Sequence, residues 1–139
     1  MSALQNLLPM VLSHPLHRYI GVQDIDAADG NARIELTIDE HTVNPRGAFH
    51  GGVAYLLCDM ACYAALLSVL SEGENAATHD LHVSMLRAAK LGERVVASAK
   101  VIKRGRNIAF MEATLHAGDK LLARATVTKS IIKDATPDA

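Results

Sequence analysis

The sequence predicts an α+β fold in which an antiparallel β-sheet wraps around one long buried helix. Three observations predict it. Residues 53–70, VAYLLCDMACYAALLSVL, form an 18-residue apolar run with a single charge, Asp59. Residues 76–132 carry four stretches with strand character, joined by turns that contain glycine. Upstream, ARIELTI alternates cleanly, with Ile34, Leu36 and Ile38 on one face and Arg33, Glu35 and Thr37 on the other. A helix that is apolar nearly all round must be covered on most sides, and strands with one apolar face supply the cover.

The elements follow in chain order. Residues 3–13 predict a short amphipathic helix that ends before Pro15. YIGVQDID is a weak strand, and ARIELTI is the strong one that follows it. The breakers of NPRGAFHGG precede the apolar run, and Ala, Leu and Met favour helix within it. DLHVSML then alternates, with Leu81, Val83 and Met85 set against His82 and Ser84. RVVASAKVIK follows the turn at Gly92, NIAFMEATLH follows RGR at 104–106, and LLARATVTKSII follows AGDK. Short strands joined in this way predict an antiparallel meander. Residues 133–139 form a polar tail, expected to fray. No linker, repeat or low-complexity segment interrupts the 139 residues, so one domain over 1–139 is expected.

Bulk properties exclude several classes. Half of the residues are hydrophobic and 21% are charged, which suits an ordered globular chain. A net charge of −1 gives no general attraction to nucleic acid or to an anionic membrane. The apolar run is borderline in length for a membrane span, and Asp59 near its centre would be costly in lipid, so a core helix is the better reading. The N-terminal residues lack the basic start and small-residue cleavage site of a secretory signal, and a cytoplasmic location is expected. Cys58 and Cys62 lie four residues apart in the helix, one turn apart on one side. They read as reduced core thiols rather than as a disulfide or metal site. The remaining histidines, His14, His17, His41, His79, His82 and His116, show no ligand spacing, and there is no phosphate-binding P-loop or nucleophile elbow.

Chemistry concentrates where the apolar run begins. Gly51 and Gly52 suit a tight turn into a helix. They also suit a site, because backbone N–H groups at a helix start are unpaired and partly positive, and Gly51 has no side chain to keep a substrate oxygen away. Asp59 reads either as a carboxylate facing a wet crevice or a neighbouring subunit, or as a base in an apolar pocket. Asn44 before Pro45 is ordinary turn chemistry, and His50 before two glycines is an ordinary cap. Asp59 lies eight residues beyond Gly51, about 12 Å along a helix. A carboxylate cannot span that distance and also hold a water beside a carbonyl at the helix start. Either the two residues serve different sites, or a second copy of the chain, with its helix antiparallel, supplies the missing partner. Lys103, Arg104 and Arg106 around Gly105 make a basic tip, either a solvated hairpin end or a phosphate-binding loop.

HTVNPRGAFHGGVAYLLCDMACYAA and the later ATHDLHVSMLRAAKLGERVVASAKVIKRGRNIAFMEATL resemble the hotdog-fold acyl-CoA thioesterases. They are most similar to the PaaI-type branch, named for phenylacetic acid degradation, of the 4-hydroxybenzoyl-CoA thioesterase superfamily. The resemblance covers roughly residues 15–132 and rests on an Asn-x5-His-Gly-Gly-x6-Asp pattern ahead of a buried helix, joined by AAKLGE and KRGRN. Where similar sequences often carry proline, this chain has Ala88. The resemblance implies an acyl-CoA thioesterase acting on an aryl- or medium-chain acyl-CoA, with no metal or bound cofactor. It implies a homo-oligomer, a dimer at least and a dimer of dimers as the expected assembly, with no nucleic-acid or membrane partner. By the same resemblance the Gly51 N–H polarises the carbonyl and Asp59 activates the water, with attack through an anhydride as the less favoured route. Asn44 assists at the carbonyl or the water, His50 shapes the loop, and Thr78 hydrogen-bonds the water. Lys103, Arg104, Gly105, Arg106, Asn107, Ile108 and Lys129 become candidates for CoA contacts. Two alternatives stand beside this reading. A hotdog hydratase or dehydratase needs a differently placed acid–base pair, and a non-catalytic acyl-CoA-binding protein would more typically lack the acidic residue or carry a DNA-binding appendage.

Overall fold

A computed structural model of the chain describes residues 2–133. Helices α1 (Ala3–Ser13) and α2 (Pro15–Tyr19) lead into strands β1 (Val22–Ala28) and β2 (Asn31–Thr37). The long helix α3 (Gly51–Leu67) follows, and then β3 (Glu74–Met85), β4 (Arg94–Arg104), β5 (Ile108–Ala117) and β6 (Lys120–Lys133). The expected helix over 3–13 is present. Helix α2 was not expected; Pro15 stands in its first turn, where a missing N–H costs nothing, and His14 caps it. The polar tail expected over 133–139 begins at the last residue of β6 and otherwise lies outside the described residues.

All six strands form one antiparallel sheet in the order β1-β2-β4-β5-β6-β3. The meander therefore holds for β4, β5 and β6, but β3 does not pair with β4. It pairs with β6 at the far edge, and residues 86–93 carry the chain back across the sheet. Local turn signals show that a strand ends; they do not show which neighbour it chooses. The neighbour is decided by which sheet edge is left open beside the helix.

The inner face of the sheet explains how the helix fits. Ala97, Ala99, Ala109, Ala113, Ala123 and Ala125 are all buried there, and Ala54, Ala61, Ala64 and Ala65 are buried on the helix. Small side chains on both surfaces allow close approach, and Leu57, Leu66, Leu67, Met111 and Leu115 fill the space between them. Ile34, Leu36 and Ile38 are fully buried, as the alternation of β2 predicts. Met85 is the exception among the expected inner residues: at the end of β3 it is 41% exposed.

One stripe of α3 escapes the cover. Gly52, Tyr55, Leu56, Asp59 and Tyr63 are exposed or half-buried, at helical spacing, while the other faces are buried from Ala54 to Leu67. Beside the stripe runs β3, whose second edge has no strand against it.

A β-bulge in β3 decides which of its residues face the helix. Leu81 pairs with Val127 and Asp80 with Thr128, but beyond the irregularity Thr78 pairs with Lys129. The extra residue reverses the in–out alternation, so the inner face passes from odd-numbered residues (Val83, Leu81) to even-numbered ones (Thr78). Without it, His79 would face the helix in place of Thr78.

Candidate active site

Asp59 is held by two neighbours. The Thr78 hydroxyl donates to Asp59 Oδ1 at 2.8 Å, and Lys129 Nζ donates to the same oxygen at 2.8 Å. Lys129 also donates to Thr78 Oγ1 at 2.7 Å, which closes a three-membered cluster. Its ammonium lies 5.5 Å from the centroid of the Tyr63 ring, within range of a cation–π attraction. Asp59 Oδ2 makes no hydrogen bond among the described residues. The Asp59 side chain is 31% exposed, whereas that of Lys129 is 2% exposed. One carboxylate oxygen is therefore anchored and the other faces the uncovered side of the helix.

Lys129 was expected among the CoA contacts. The structure instead turns its side chain to the inner face of the sheet, against Asp59. The signal was present in β6: Ala123, Ala125 and Val127 alternate inward, and Lys129 is the next residue in that series.

The helix start follows a loop held by local hydrogen bonds. Asn44 N–H donates to Ala48 O, and Asn44 Oδ1 accepts from the N–H groups of Arg46 (2.9 Å) and Ala48 (3.1 Å). With its oxygen occupied, the Asn44 side chain has its amide NH2 left to offer as a donor. His50 is the N-cap of α3. Its Nδ1 accepts from Gly52 N–H at 2.9 Å, and its own N–H donates to Thr42 O. A side chain at Gly52 would press on the His50 ring at 3.1 Å, so Gly52 serves the cap.

Gly51 is different. A Cβ there would meet nothing within 4 Å, and its backbone is not in the left-handed region. Neither sterics nor conformation within the chain calls for glycine. Its N–H makes no hydrogen bond among the described residues. An unpaired donor at a helix N-terminus, with open space around it, is suited to an oxygen that is developing negative charge. Gly51 and Asp59 belong to the same helix, so the eight-residue separation stands, and the chain does not bring these two together.

The basic tip is only partly available. Arg104 Nη2 donates to both carboxylate oxygens of Glu74 at 2.7 Å, and Arg104 Nη1 donates to Gly105 O at 2.8 Å. That guanidinium holds the Glu74 carboxyl below its ordinary pKa, helped by the Ser71 N–H. Gly105 is required for close approach, since a Cβ would lie 2.6 Å from Ile108 O. Asn107 O accepts from Ile131 N–H, and Ile108 is 39% exposed. Lys103 and Arg106 make no ion pair among the described residues.

Cys58 and Cys62 are free and buried, and burial pushes both thiols up to about 12, out of reach of thiolate chemistry. Among the described residues no group of His, Cys, Asp or Glu is placed to hold a metal ion, and no helix is long and apolar enough to cross a membrane.

Comparison with known proteins identifies the family and the fold. The chain is 33% identical over 109 residues to human acyl-coenzyme A thioesterase 13, a span of 77% of each protein. The solved structure of zebrafish thioesterase superfamily member 2 superposes with a TM-score of 0.79 at 29% identity, covering 91% of this chain and 93% of that one. The PaaI protein from the phenylacetic acid degradation operon of Escherichia coli superposes with a TM-score of 0.82, covering 94% and 93%; at 23% identity that likeness speaks to the hotdog fold. The family model of the thioesterase superfamily matches residues 46–124, a segment that includes His50, Gly51, Asp59 and Thr78 but neither Asn44 nor Lys129. With its helix wrapped by an antiparallel sheet and this segment at its centre, the chain belongs to the thioesterase superfamily.

Proposed function

We propose that the chain is an acyl-CoA thioesterase that hydrolyses an aryl- or medium-chain acyl-CoA to the free acid and CoA. The observation that carries the reading is Asp59, with one oxygen tethered by Thr78 and Lys129 and the other free on the uncovered stripe of α3. In this mechanism a water gives a proton to Asp59 Oδ2 as its oxygen attacks the thioester carbonyl carbon. The carbonyl oxygen takes up the electron pair and is stabilised by the Gly51 N–H, with the Asn44 amide as a second donor. Collapse of the tetrahedral intermediate breaks the C–S bond, and the departing thiolate recovers the proton from Asp59. His50 acts as a cap and not as a base. Attack by Asp59 through an anhydride would differ in a single turnover in 18O-water when water opens the anhydride at the Asp59 carbonyl, because that step breaks the bond between that carbon and the bridging oxygen and leaves the label in Asp59 rather than in the released acid.

The site is shared between two copies of the chain in this reading. A rise of about 12 Å separates Gly51 from Asp59 on one helix. The uncovered stripe containing Asp59 lies beside the open edge of β3, and a two-fold partner docked there would continue the sheet and lay its own α3 antiparallel. Each Gly51 would then meet the partner's base, and a dimer of dimers would extend the assembly. Lys103 and Arg106 would face the CoA phosphates, with Arg104 bracing the loop. A cytoplasmic setting suits the reduced Cys58 and Cys62.

The test is thiol release from a panel of aryl-, short-, medium- and long-chain acyl-CoAs, with Asp59→Asn run alongside. The expected loss in kcat is about a hundredfold or more, with KM little changed. Wild-type turnover by Asp59→Asn on the best substrate would refute the assignment.

A further inference from the structure

We infer that Lys129 is a positioning residue of the hydrolytic site rather than a contact to CoA phosphate; this rests on the proposed thioesterase reading. On the helix-facing side of β6, Lys129 follows Ala123, Ala125 and Val127, all buried. An ammonium in such surroundings is tolerated only when paired and hydrogen-bonded. Its two bonds go to Asp59 Oδ1 and Thr78 Oγ1, and the Tyr63 ring lies beside it. At 2% exposure it is out of reach of a ligand phosphate.

The proton inventory shows what the lysine does. Thr78 has one hydroxyl proton, and it goes to Asp59 Oδ1. One Thr78 lone pair is taken by Lys129. Thr78 is left able only to accept, through its second lone pair. A water bound between Thr78 Oγ1 and Asp59 Oδ2 must then donate a proton to each, which turns its own lone pairs outward to a carbonyl carbon. Lys129 enforces this polarity. Without it, the Thr78 hydroxyl is free to rotate and donate to the water, blunting the nucleophile. Lys129 also limits rotation of the carboxylate by fixing Oδ1. The positioning depends on the bulge in β3, which brings Thr78 onto the inner face opposite Lys129.

The experiment compares Lys129→Met and Lys129→Gln with wild type, alone and combined with Asp59→Asn, in steady-state thiol release. Lys129→Met is expected to lower kcat by about tenfold or more while KM stays within about twofold, the pattern of lost orientation rather than lost binding. Lys129→Gln keeps an N–H donor and is expected to retain more activity; it also serves as the test if the Met variant does not fold. On the Asp59→Asn background neither substitution should cost further activity, because the lysine acts through that carboxylate. A raised KM with kcat maintained would overturn the inference in favour of a phosphate contact. Losses that multiply with that of Asp59→Asn would overturn it in favour of a general structural role. Absence of thioester hydrolysis by the wild-type protein would instead overturn the thioesterase reading on which the inference stands.

Discussion

Replacing Asp59 with alanine should destabilise the protein through Lys129. The carboxylate itself is 31% exposed, but the ammonium it neutralises is 2% exposed. Asp59→Ala leaves that ammonium with one hydroxyl acceptor, Thr78 Oγ1, and the face of Tyr63. Removing one partner of a buried pair costs about 3–5 kcal/mol. Water reaching the vacated position beside a partly exposed residue puts the value near the lower end, about 3 kcal/mol. For a chain of 139 residues that corresponds to a fall in Tm of about 10 °C. The double variant Asp59→Ala/Lys129→Met removes the stranded charge and sets an apolar side chain of similar length in an apolar site, so most of the loss should return. Asp59→Asn keeps an acceptor at Oδ1 and should cost less than Asp59→Ala. The assay is urea denaturation followed by circular dichroism at one fixed protein concentration, because self-association couples to stability. A double variant no more stable than Asp59→Ala would refute the reasoning, since it would show that Lys129 was not the group left uncompensated.

Other outcomes follow from the same structure. Asp59→Asn and Gly51→Pro should each keep about a hundredth of wild-type activity or less alone but recover about a quarter of it per site after confirmed subunit exchange, because half of the dimers are mixed and each has one intact site. Proline is tolerated at Gly51, the first helical position, where the preceding His50 is already extended (φ −68°, ψ 127°); confirmed but inactive heterodimers would exclude a shared site. Lys103→Ala/Arg106→Ala should raise KM for acyl-CoA several-fold at low salt with little change in kcat, and should flatten the salt dependence of KM; an unchanged KM removes the tip from the CoA site. Arg104→Ala should instead lower stability in a pH-dependent way. The Glu74 carboxyl is held below its ordinary value near 4.5, so its contribution is complete above that pH and is lost as the pH falls below it. The stability gap between wild type and Arg104→Ala should therefore narrow on acidification from pH 7 to pH 3.5, and a constant gap would refute the pairing.

The sequence by itself determined the elements and the segment that carries chemistry. The apolar run with its lone Asp59, the alternation of β2, and the turns around β4, β5 and β6 are local patterns, and local patterns survive because hydrophobic period and turn chemistry act over a few residues. The position of His50, Gly51 and Gly52 at a helix start was legible for the same reason. Strand order was not: β3 joins β6 rather than β4 because pairing at the sheet edge is settled between segments far apart in sequence. The face of Thr78 was not legible either, since a one-residue bulge reverses it and leaves no distinct signature in ATHDL. The openness around Gly51 and the pairing of Arg104 with Glu74 likewise emerge only when distant segments are set side by side. The decisive case is the pair of charges in the most apolar surroundings. Asp59 and Lys129 are 70 residues apart, and each alone looks like an exception to its segment. Packing α3 against the sheet makes each the reason for the other, because a buried cation must find an anion and only the tertiary structure brings one within 2.8 Å.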